Sequence, residues 1–450
     1  MSDTTTPTRV QSEIDPDPAQ HDPATTTEKI EEPTVKELDL SHRPDGGLDA
    51  WLQVLSAWCV IFSTFGLVNC FGVYQSYYEQ VLLPNSSSSS ISWVGSIQGF
   101  LLLAGGIFSG PLFDMGYFRH LLYSGLFLII FGQFMTSLCT EYYQVLLAQG
   151  LCIGLGCALT FPPTTAALSQ YFSRRIALAT GLASSGSPLA GTVLPIAFNQ
   201  LVDRLGFGWA TRIIAFILLG VAVVPLMFFK TRLPPSKHRR ALIDMSAFTD
   251  VPFMIFVVGS FFCFMGLYIP FFYIELFSIE HSLTSDAFAP YMVAIMNAVS
   301  VPGRIVPGII SDFIGSPTIV MGGCAALSCI LAFAWIGIRN HGGIIVFAVL
   351  YGGFSGGVVS SHPSGIFSLT SDHTRMGTRL GMACFVAGVA LLIGTPIAGA
   401  ILGTDDNANE AKWDGLIAFC AISMFLGACL VLTTGVMGKL RLRQKLRDEI

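Results

Sequence analysis

Charged side chains are scarce in this sequence. Only 12% of its 450 residues are Asp, Glu, Lys or Arg, whereas 52% are hydrophobic and the mean hydropathy is +0.64. An ordinary soluble protein carries roughly 25% charged residues, about twice this share. The few charges are concentrated in the two tails and in short connecting segments. This distribution excludes a set of soluble domains and predicts an all-α, polytopic membrane protein.

Several other signals are also missing. The eleven cysteines, from Cys59 to Cys429, all lie inside apolar runs, so we expect no disulfides. The apolar runs are continuous rather than alternating, which excludes a transmembrane β-barrel. The first run begins near Trp51, behind a long polar tail, so we expect no cleavable signal peptide.

Motifs for cofactors are lacking too. The glycine-rich run 352–357 resembles a phosphate-binding loop in composition only, because no Gly-Lys-Ser/Thr follows it and no strand precedes it. Close packing between helices is the better explanation of these glycines. We expect no cofactor, no metal, no catalytic residue and no nucleic-acid partner.

Twelve apolar runs follow the polar tail, six on each side of one polar break. The predicted spans are 52–76, 91–113, 120–140, 143–170, 176–202, 211–229, 251–276, 287–310, 317–338, 343–368, 378–402 and 415–437. The tail, residues 1–44, has almost no aromatic residues and is predicted to be disordered and cytoplasmic. We predict a first six-helix half at 45–229, a linker at 230–250, a second half at 251–438 and a basic tail at 439–450.

The positive charges predict the orientation. With both termini in the cytoplasm, cytoplasmic tails and loops hold 19 of the 24 Lys and Arg residues. The sequon Asn85-Ser86-Ser87 then lies outside, where Asn85 is a candidate for glycosylation.

The two halves share an internal repeat. With a shift of about 200 residues, Gly110-Pro-Leu-Phe-Asp114 aligns with Gly308-Ile-Ile-Ser-Asp312, and Thr160-Phe-Pro-Pro163 aligns with Ser360-Ser-His-Pro363. Two parallel six-helix repeats around a site at the membrane midplane are typical of alternating-access carriers.

These motifs resemble those of a known family. Twelve helices with Gly-x-x-x-Asp after the second and eighth are similar to the major facilitator superfamily. Asp45-Gly-Gly-Leu-Asp-Ala-Trp51 and Tyr171-Phe-Ser-Arg-Arg-Ile-Ala-Leu-Ala-Thr-Gly181 resemble the two signatures of its monocarboxylate transporters. The long acidic N-terminal tail and short central loop resemble the fungal branch, which includes riboflavin carriers and secondary-metabolite exporters. The resemblance implies a location in the plasma membrane.

Arg304 is the main candidate for a substrate site, because it is the one Lys or Arg well inside an apolar run. A charge in that position usually faces a cavity and has a task, and a guanidinium can hold a carboxylate through two parallel hydrogen bonds. The resemblance implies the same role, since the family has a substrate-binding Arg in its eighth helix. A structural ion pair or a side chain that reaches the membrane surface remains open. Asn69, Tyr74 and Asn297 are further candidate contacts, with bonding between helices as their alternative.

Proton coupling is not settled by the sequence. Animal members of the family have an Asp one turn before the Arg and a Lys in the first helix, whereas this chain has Ser300 and Asn69 there. His362 is a candidate proton site, with a structural histidine as its alternative. We predict that Asp114 and Asp312 bind backbone N–H groups or Arg side chains of neighbouring helices and so close the cytoplasmic face, with a satisfied loop turn as the alternative. Arg174 and Arg175 assist this gating or serve as plain cytoplasmic anchors.

The sequence therefore predicts a secondary transporter that moves a small, monocarboxylate-like organic anion by alternating access, with proton symport left open. A fungal secondary-metabolite exporter or a riboflavin-like facilitative carrier is the alternative within the same fold. A membrane sensor or an enzyme that uses His362 and Arg304 is less well supported, and we expect no enzymatic activity.

Overall fold

Helices make up nearly all of the part of the chain that the structure describes. The computed structural model describes residues 44–86, 88–232, 243–285, 288–289, 291–370, 375–402 and 410–448. Within these ranges there is no β-strand. The predicted disordered tail lies outside the described residues except for Pro44, and so does the middle of the predicted linker.

The crossing helices have the length and the apolar composition that a bilayer requires, about 20 residues each. In chain order they are α1 (Leu48–Leu82), α2 (Trp93–Asp114), α3 (Phe118–Thr136), α4 (Tyr142–Leu168), α5 and α6 (the two arms of Ile176–Phe228), α7 (Val251–Glu280), α8 (Tyr291–Ile314), α9 (Pro317–Trp335), α10 (His341–Leu369), α11 (Met376–Leu402) and α12 (Ala411–Gly438). We call α1–α6 the first half and α7–α12 the second half.

The connection between α5 and α6 is shorter than the sequence suggests. The apolar runs predict a loop at 203–210, but the structure is helical on both sides of Gly206, the one non-helical residue there, with φ 76°. Glycine adopts this left-handed conformation at no steric cost, so a single residue breaks the helix. The described part of the chain thus has eleven continuous apolar stretches, and the one that holds Gly206 contains two membrane spans.

Irregular turns interrupt α1. Its helix stops at Ser63, resumes over Phe65–Asn69 and Phe71–Tyr77, and ends in a π-helical turn at Tyr78–Leu82. The hydroxyls of Ser63 and Thr64 donate to carbonyl oxygens one turn earlier, which bends helices. Because of these breaks, each segment of α1 presents its own face to the neighbouring helices, and Asn69 lies on the segment Phe65–Asn69.

Glycines bring the two halves into close contact. A Cβ added to Gly110 of α2 would overlap the carbonyl oxygen of Gly377, just inside α11. A Cβ on Gly308 of α8 would lie 2.6 Å from the carbonyl oxygen of Ala177 on α5. Small residues allow helix backbones to approach this closely in membranes. The α2–α11 and α5–α8 pairs therefore form the contact between the halves at one end of the bundle.

The predicted role of the run 352–357 is confirmed. A Cβ on Gly352 would lie 2.8 Å from the Cα of Met296, and one on Gly356 would lie 2.5 Å from the Oγ of Ser300. The glycines of α10 thus let α8 pack closely along the face that carries Arg304.

Candidate binding site

Asp312 joins the last turn of α8 to the first turn of α5. Its two carboxylate oxygens accept hydrogen bonds from the backbone N–H groups of Ala177 (3.0 Å) and Leu178 (2.8 Å). The first N–H groups of a helix have no partner within the helix, and the positive end of the helix dipole favours a carboxylate. We call this contact the α8–α5 clamp.

Asp114 makes the equivalent contact from the first half to the second. It accepts from the backbone N–H groups of Gly377 (3.2 Å) and Thr378 (2.9 Å), and also from the hydroxyl of Thr378 (2.7 Å). We call this contact the α2–α11 clamp. Both clamps lie at the same end of the bundle, which we call the clamp end.

An ion-pair network holds the start of α11 from its other side. Asp244 and Asp250, which flank the 3₁₀ helix Met245–Thr249 before α7, accept from Arg375 and Arg379 at 2.9–3.1 Å. Burial alone would raise the pKa of the Asp244 carboxyl. The hydrogen bonds from Ser246 and Arg379, with the charge of Arg375, outweigh burial and lower this pKa below its ordinary value.

Asp45 has a similar place before α1. Its carboxylate accepts from the backbone N–H groups of Ser173 and Arg174, and its own N–H donates to the carbonyl of Tyr171. The two signature-like segments of the sequence therefore touch each other. The side chains of Arg174 and Arg175 are exposed, and neither has an ion pair within the described ranges.

Arg304 lies in the middle of α8, where the two halves meet. Only 4% of the residue is exposed, and its Nη1 donates to the carbonyl oxygen of Ser184 on α5 at 2.8 Å. Among the described residues, its Nε has no hydrogen-bond partner and no carboxylate forms an ion pair with it. A buried cation without a counter-ion is unfavourable and calls for an anion.

Two cavities adjoin Arg304. The apolar cavity is lined by Ile61, Phe65, Phe161, Thr165, Leu168, Thr180, Ala183, Ser184, Arg304, Val359 and Pro363. The polar cavity is lined by Asn69, Leu267, Tyr268, Phe271, Asn297, Ser300, Arg304, Ser355, Gly356 and Val359. Along α8 and α10, the residues of the apolar cavity lie nearer the clamp end. Arg304 and Val359 belong to both cavities and therefore lie between them.

Asn69 and Asn297 are brought together with Arg304, one from each half. The Nδ2 of Asn69 donates to the Oγ of Ser187 (3.1 Å), and that of Asn297 donates to the carbonyl of Val293 (3.2 Å). Gly191 fits between them, since a Cβ there would lie 3.2 Å from the Oδ1 of Asn297. Both amides line the polar cavity, within reach of a ligand that contacts Arg304.

Tyr74 is placed elsewhere. Its ring is 1% exposed and packs against Phe198, and its hydroxyl accepts from the Nε2 of Gln133 at 2.7 Å. It lines neither cavity. The side chain of Tyr74 therefore belongs to the core of the first half. Its hydroxyl forms a bond between helices, which is the alternative role given above for this residue.

His362 lies in the interior of the second half. Its ring stacks on Phe256 and meets Phe264 edge-on, and its Nε2 has no partner among the described residues. It lines neither cavity, although its neighbour Pro363 lines the apolar one. Asn85 is exposed, in the turn that follows the π-helical end of α1.

The predicted backbone N–H partners of Asp114 and Asp312 are confirmed, but sequence reasoning did not identify the residues that supply them. It also missed the contact that Asp45 makes. The groups that Asp45, Asp114 and Asp312 bind are mainly backbone N–H groups, which any residue except proline supplies. The network of Asp244 with Arg375 and Arg379 was missed as well. Its signal was present, because acidic residues before α7 and basic residues before α11 occupy the same end of the predicted bundle.

Comparison with known proteins shows the family to which this chain belongs. The family model of the Major Facilitator Superfamily matches residues 47–395. The MFS-type transporter dbaD of Emericella nidulans is 42% identical over 407 residues, which cover 90% of each chain. The aspyridones efflux protein apdF of the same fungus is 42% identical and covers 80% of this chain and 73% of its own. The MFS transporter asaE of Aspergillus flavus is 35% identical and covers 88% of each.

Solved structures share the fold at low identity. A bacterial homologue of the iron transporter ferroportin, in its outward-facing state, superposes with a TM-score of 0.66 at 10% identity and covers 85% of this chain and 99% of its own. The Escherichia coli fucose:proton symporter gives 0.62 at 15% identity, covering 85% and 98%. The predicted twelve-helix fold is therefore confirmed. None of the relatives named here is described as a monocarboxylate carrier.

Proposed function

The chain belongs to the Major Facilitator Superfamily and is a multi-pass membrane transporter, and on this premise we propose that it exports a fungal secondary metabolite that carries an acidic group. The name of one relative specifies efflux of aspyridones, which supports the outward direction. The observation that carries the proposal is Arg304, a buried cation that faces two cavities between the halves. An anion is the ligand that such a group requires.

Arg304 anchors the acidic group in this proposal. Its planar guanidinium can form two parallel hydrogen bonds with a carboxylate, a geometry that the ammonium of lysine does not reproduce. Asn69 and Asn297 supply additional donors and acceptors from the polar cavity. Tyr74 has no part in it, because its hydroxyl is buried against Gln133.

The two clamps act as the gate. Both connect the halves at one end of the bundle, so that end opens only if Asp114 and Asp312 release the helix starts that they hold. Arg174 and Arg175 flank the start of α5 and assist by placing positive charge near Asp312. The clamp end faces the cytoplasm, where we also place both termini.

The plasma membrane is the proposed location, with Asn85 glycosylated on the outer surface. A glycosidase-sensitive mass that disappears in Asn85→Gln would support this topology. A glycosidase-resistant mass, the same in both proteins, would count against glycosylation.

A proton-coupled carrier of small monocarboxylates is the second candidate. It is favoured by the contact between the two segments that resemble monocarboxylate-transporter signatures, through Asp45 and Tyr171. His362 would be the proton site, because its Nε2 lacks a partner among the described residues. Dependence of transport on a proton gradient separates this candidate from facilitated export.

Flux in proteoliposomes tests the proposal. Labelled organic acids of increasing size are followed into and out of vesicles, with and without a proton gradient. We expect Arg304→Ala to lower acid flux by about tenfold or more, and Arg304→Lys to lower it less, because lysine keeps the charge but loses the paired geometry. Arg339→Ala is the matched control, since Arg339 is exposed at the opposite end of the bundle. Acid flux that is equal in wild type and Arg304→Ala would remove Arg304 from the site.

A further inference from the structure

Arg304 donates to the carbonyl oxygen of Ser184, which has no N–H partner four residues later in its own helix. In a helix, the carbonyl of Ser184 would accept from the N–H of residue 188, four positions later. Residue 188 is proline, which has no N–H. The Nη1 of Arg304 donates to this oxygen at 2.8 Å instead. The bond crosses from the second half to the first, at the depth of the two cavities.

The bond is well suited to be exchanged. A carbonyl satisfies one N–H of the guanidinium but gives its charge no counter-ion, and the described residues offer Arg304 no carboxylate. A ligand carboxylate would form charge-assisted hydrogen bonds, which are roughly twice as strong as neutral ones. An arriving anion can therefore compete for Arg304 against Ser184.

The two cavities differ in chemistry and adjoin the same side chain. Beyond Arg304, the apolar cavity presents aromatic and aliphatic groups such as Phe65, Phe161 and Leu168. The polar cavity presents the amides of Asn69 and Asn297 and the hydroxyls of Ser300 and Ser355. Arg304 thus separates an apolar compartment from a polar one.

Their sizes show that a ligand needs movement of the protein. The apolar cavity has a volume of about 20 Å³ and the polar one about 10 Å³, which is room for roughly one water molecule each. The two cavities therefore mark the chemistry on either side of Arg304. An organic ligand fits there only when Arg304 leaves Ser184 and the two halves separate.

We propose that the cargo is an amphipathic weak acid whose anionic group takes Arg304 from the Ser184 carbonyl, with its apolar body in the apolar cavity and its polar substituents in the polar cavity. In the empty protein, the Arg304 side chain separates the two cavities. Cargo binding moves this side chain and joins them. This inference rests on the proposed function, because it uses the same arginine, but it specifies the cargo and the bond that the cargo replaces.

Binding to the purified, detergent-solubilised protein tests this inference without any transport step. The probes are 2-naphthoate, its neutral analogue 2-naphthamide, and acetate, a carboxylate without an apolar body. We expect 2-naphthoate to bind at least about tenfold more tightly than either of the others in calorimetric titration, since it alone satisfies both Arg304 and the apolar cavity. Arg304→Gln should abolish this preference, and Arg304→Lys should reduce it.

Pro188→Ala tests the exchange itself. Alanine restores an N–H that shares the Ser184 carbonyl with Arg304, so the bond from Arg304 is weakened and 2-naphthoate should bind about three- to tenfold more tightly. Binding of 2-naphthamide should not change. Pro225→Ala is the matched control. It makes the same change in α6, at a residue that lines neither cavity.

Several results would overturn the inference. They are absence of 2-naphthoate binding, equal binding of 2-naphthamide, equal binding of acetate, or a Pro188→Ala affinity no higher than that of Pro225→Ala. Because these measurements involve no flux, they are independent of export. Binding as expected without any flux in proteoliposomes would leave the site intact and refute the proposed function alone.

Discussion

The first turns of α5 and α11 are held alike from one side and differently from the other. From the opposite half, an aspartate at the end of α8 or α2 accepts their backbone N–H groups. From the same half, a carboxylate just before the first helix reaches the segment ahead of each turn. For α5 this is Asp45, which binds backbone N–H groups, whereas for α11 it is Asp244, which pairs with arginine side chains.

The difference shows which parts of a repeated structure are interchangeable. The acidic residue is retained in both halves, but its partner is a backbone group in one and a guanidinium in the other. The α2–α11 clamp also has one bond more, from the hydroxyl of Thr378, where the equivalent residue of α5 is Leu178. We therefore expect the start of α11 to be held more firmly than the start of α5.

Removal of the clamp carboxylates should give the largest effect. Asp114→Ala should lower the free energy of unfolding by about 3 kcal/mol and Asp312→Ala by about 2 kcal/mol, because charge-assisted hydrogen bonds are lost and one more is lost at α11. Unfolding in mixed detergent micelles measures both. Asp203→Ala, at an exposed position, is the control and should change little. If Asp312→Ala lowered the free energy of unfolding more than Asp114→Ala, the α8–α5 clamp would be the stronger of the two.

Thr378→Val should make the two clamps more alike. Valine keeps the shape of threonine but loses the hydroxyl that donates to Asp114, so we expect a loss of about 1.5 kcal/mol. In this background, the further cost of Asp114→Ala should approach that of Asp312→Ala in the wild type. The same unfolding assay, run as a double-mutant cycle, measures the coupling. Fully additive losses would mean that the hydroxyl contributes nothing to the clamp.

The arginine network should add the smallest effect, visible through pH. Because folding lowers the pKa of Asp244, its ion pairs stabilise the protein above the pKa of free aspartate, near 3.9. That contribution is lost as pH falls through the lower pKa of the folded state. The free energy of unfolding of the wild type should exceed that of Asp244→Asn by about 0.5 kcal/mol at pH 6. The value is small because burial of the carboxylate opposes its ion pairs, Arg375 is 42% exposed, and Arg379 keeps Asp250 as a partner. This difference between wild type and Asp244→Asn should shrink towards pH 3. A difference that grows towards pH 3 would contradict the stabilising role of the Asp244 ion pairs.

The spans and the repeat could be predicted because they depend on composition. About 20 apolar residues are needed to cross a bilayer, and Gly-x-x-x-Asp recurs in the sequence at a fixed shift. The break at Gly206 could not be located, because an apolar helix and an apolar turn differ there by one glycine conformation.

The residues that line the cavities were predictable on α8 but not on α1. Asn297 and Arg304 are seven residues apart, about two full turns, so they share a face. Asn69 and Tyr74 are five residues apart, about 140° around a helix, and α1 is also interrupted at Cys70 between them. Only one of that pair can face the cavities, and hydropathy does not say which.

The clamps have a consequence for the origin of the protein. Asp312 of the second half binds the first half, and Asp114 of the first half binds the second. A contact in which each partner offers the same group to the other is the pattern of an isologous dimer. A single six-helix ancestor would have gained both contacts from one acidic substitution, by pairing with a copy of itself, before gene fusion joined the copies. On this account, the two clamps are older than the chain that now contains them.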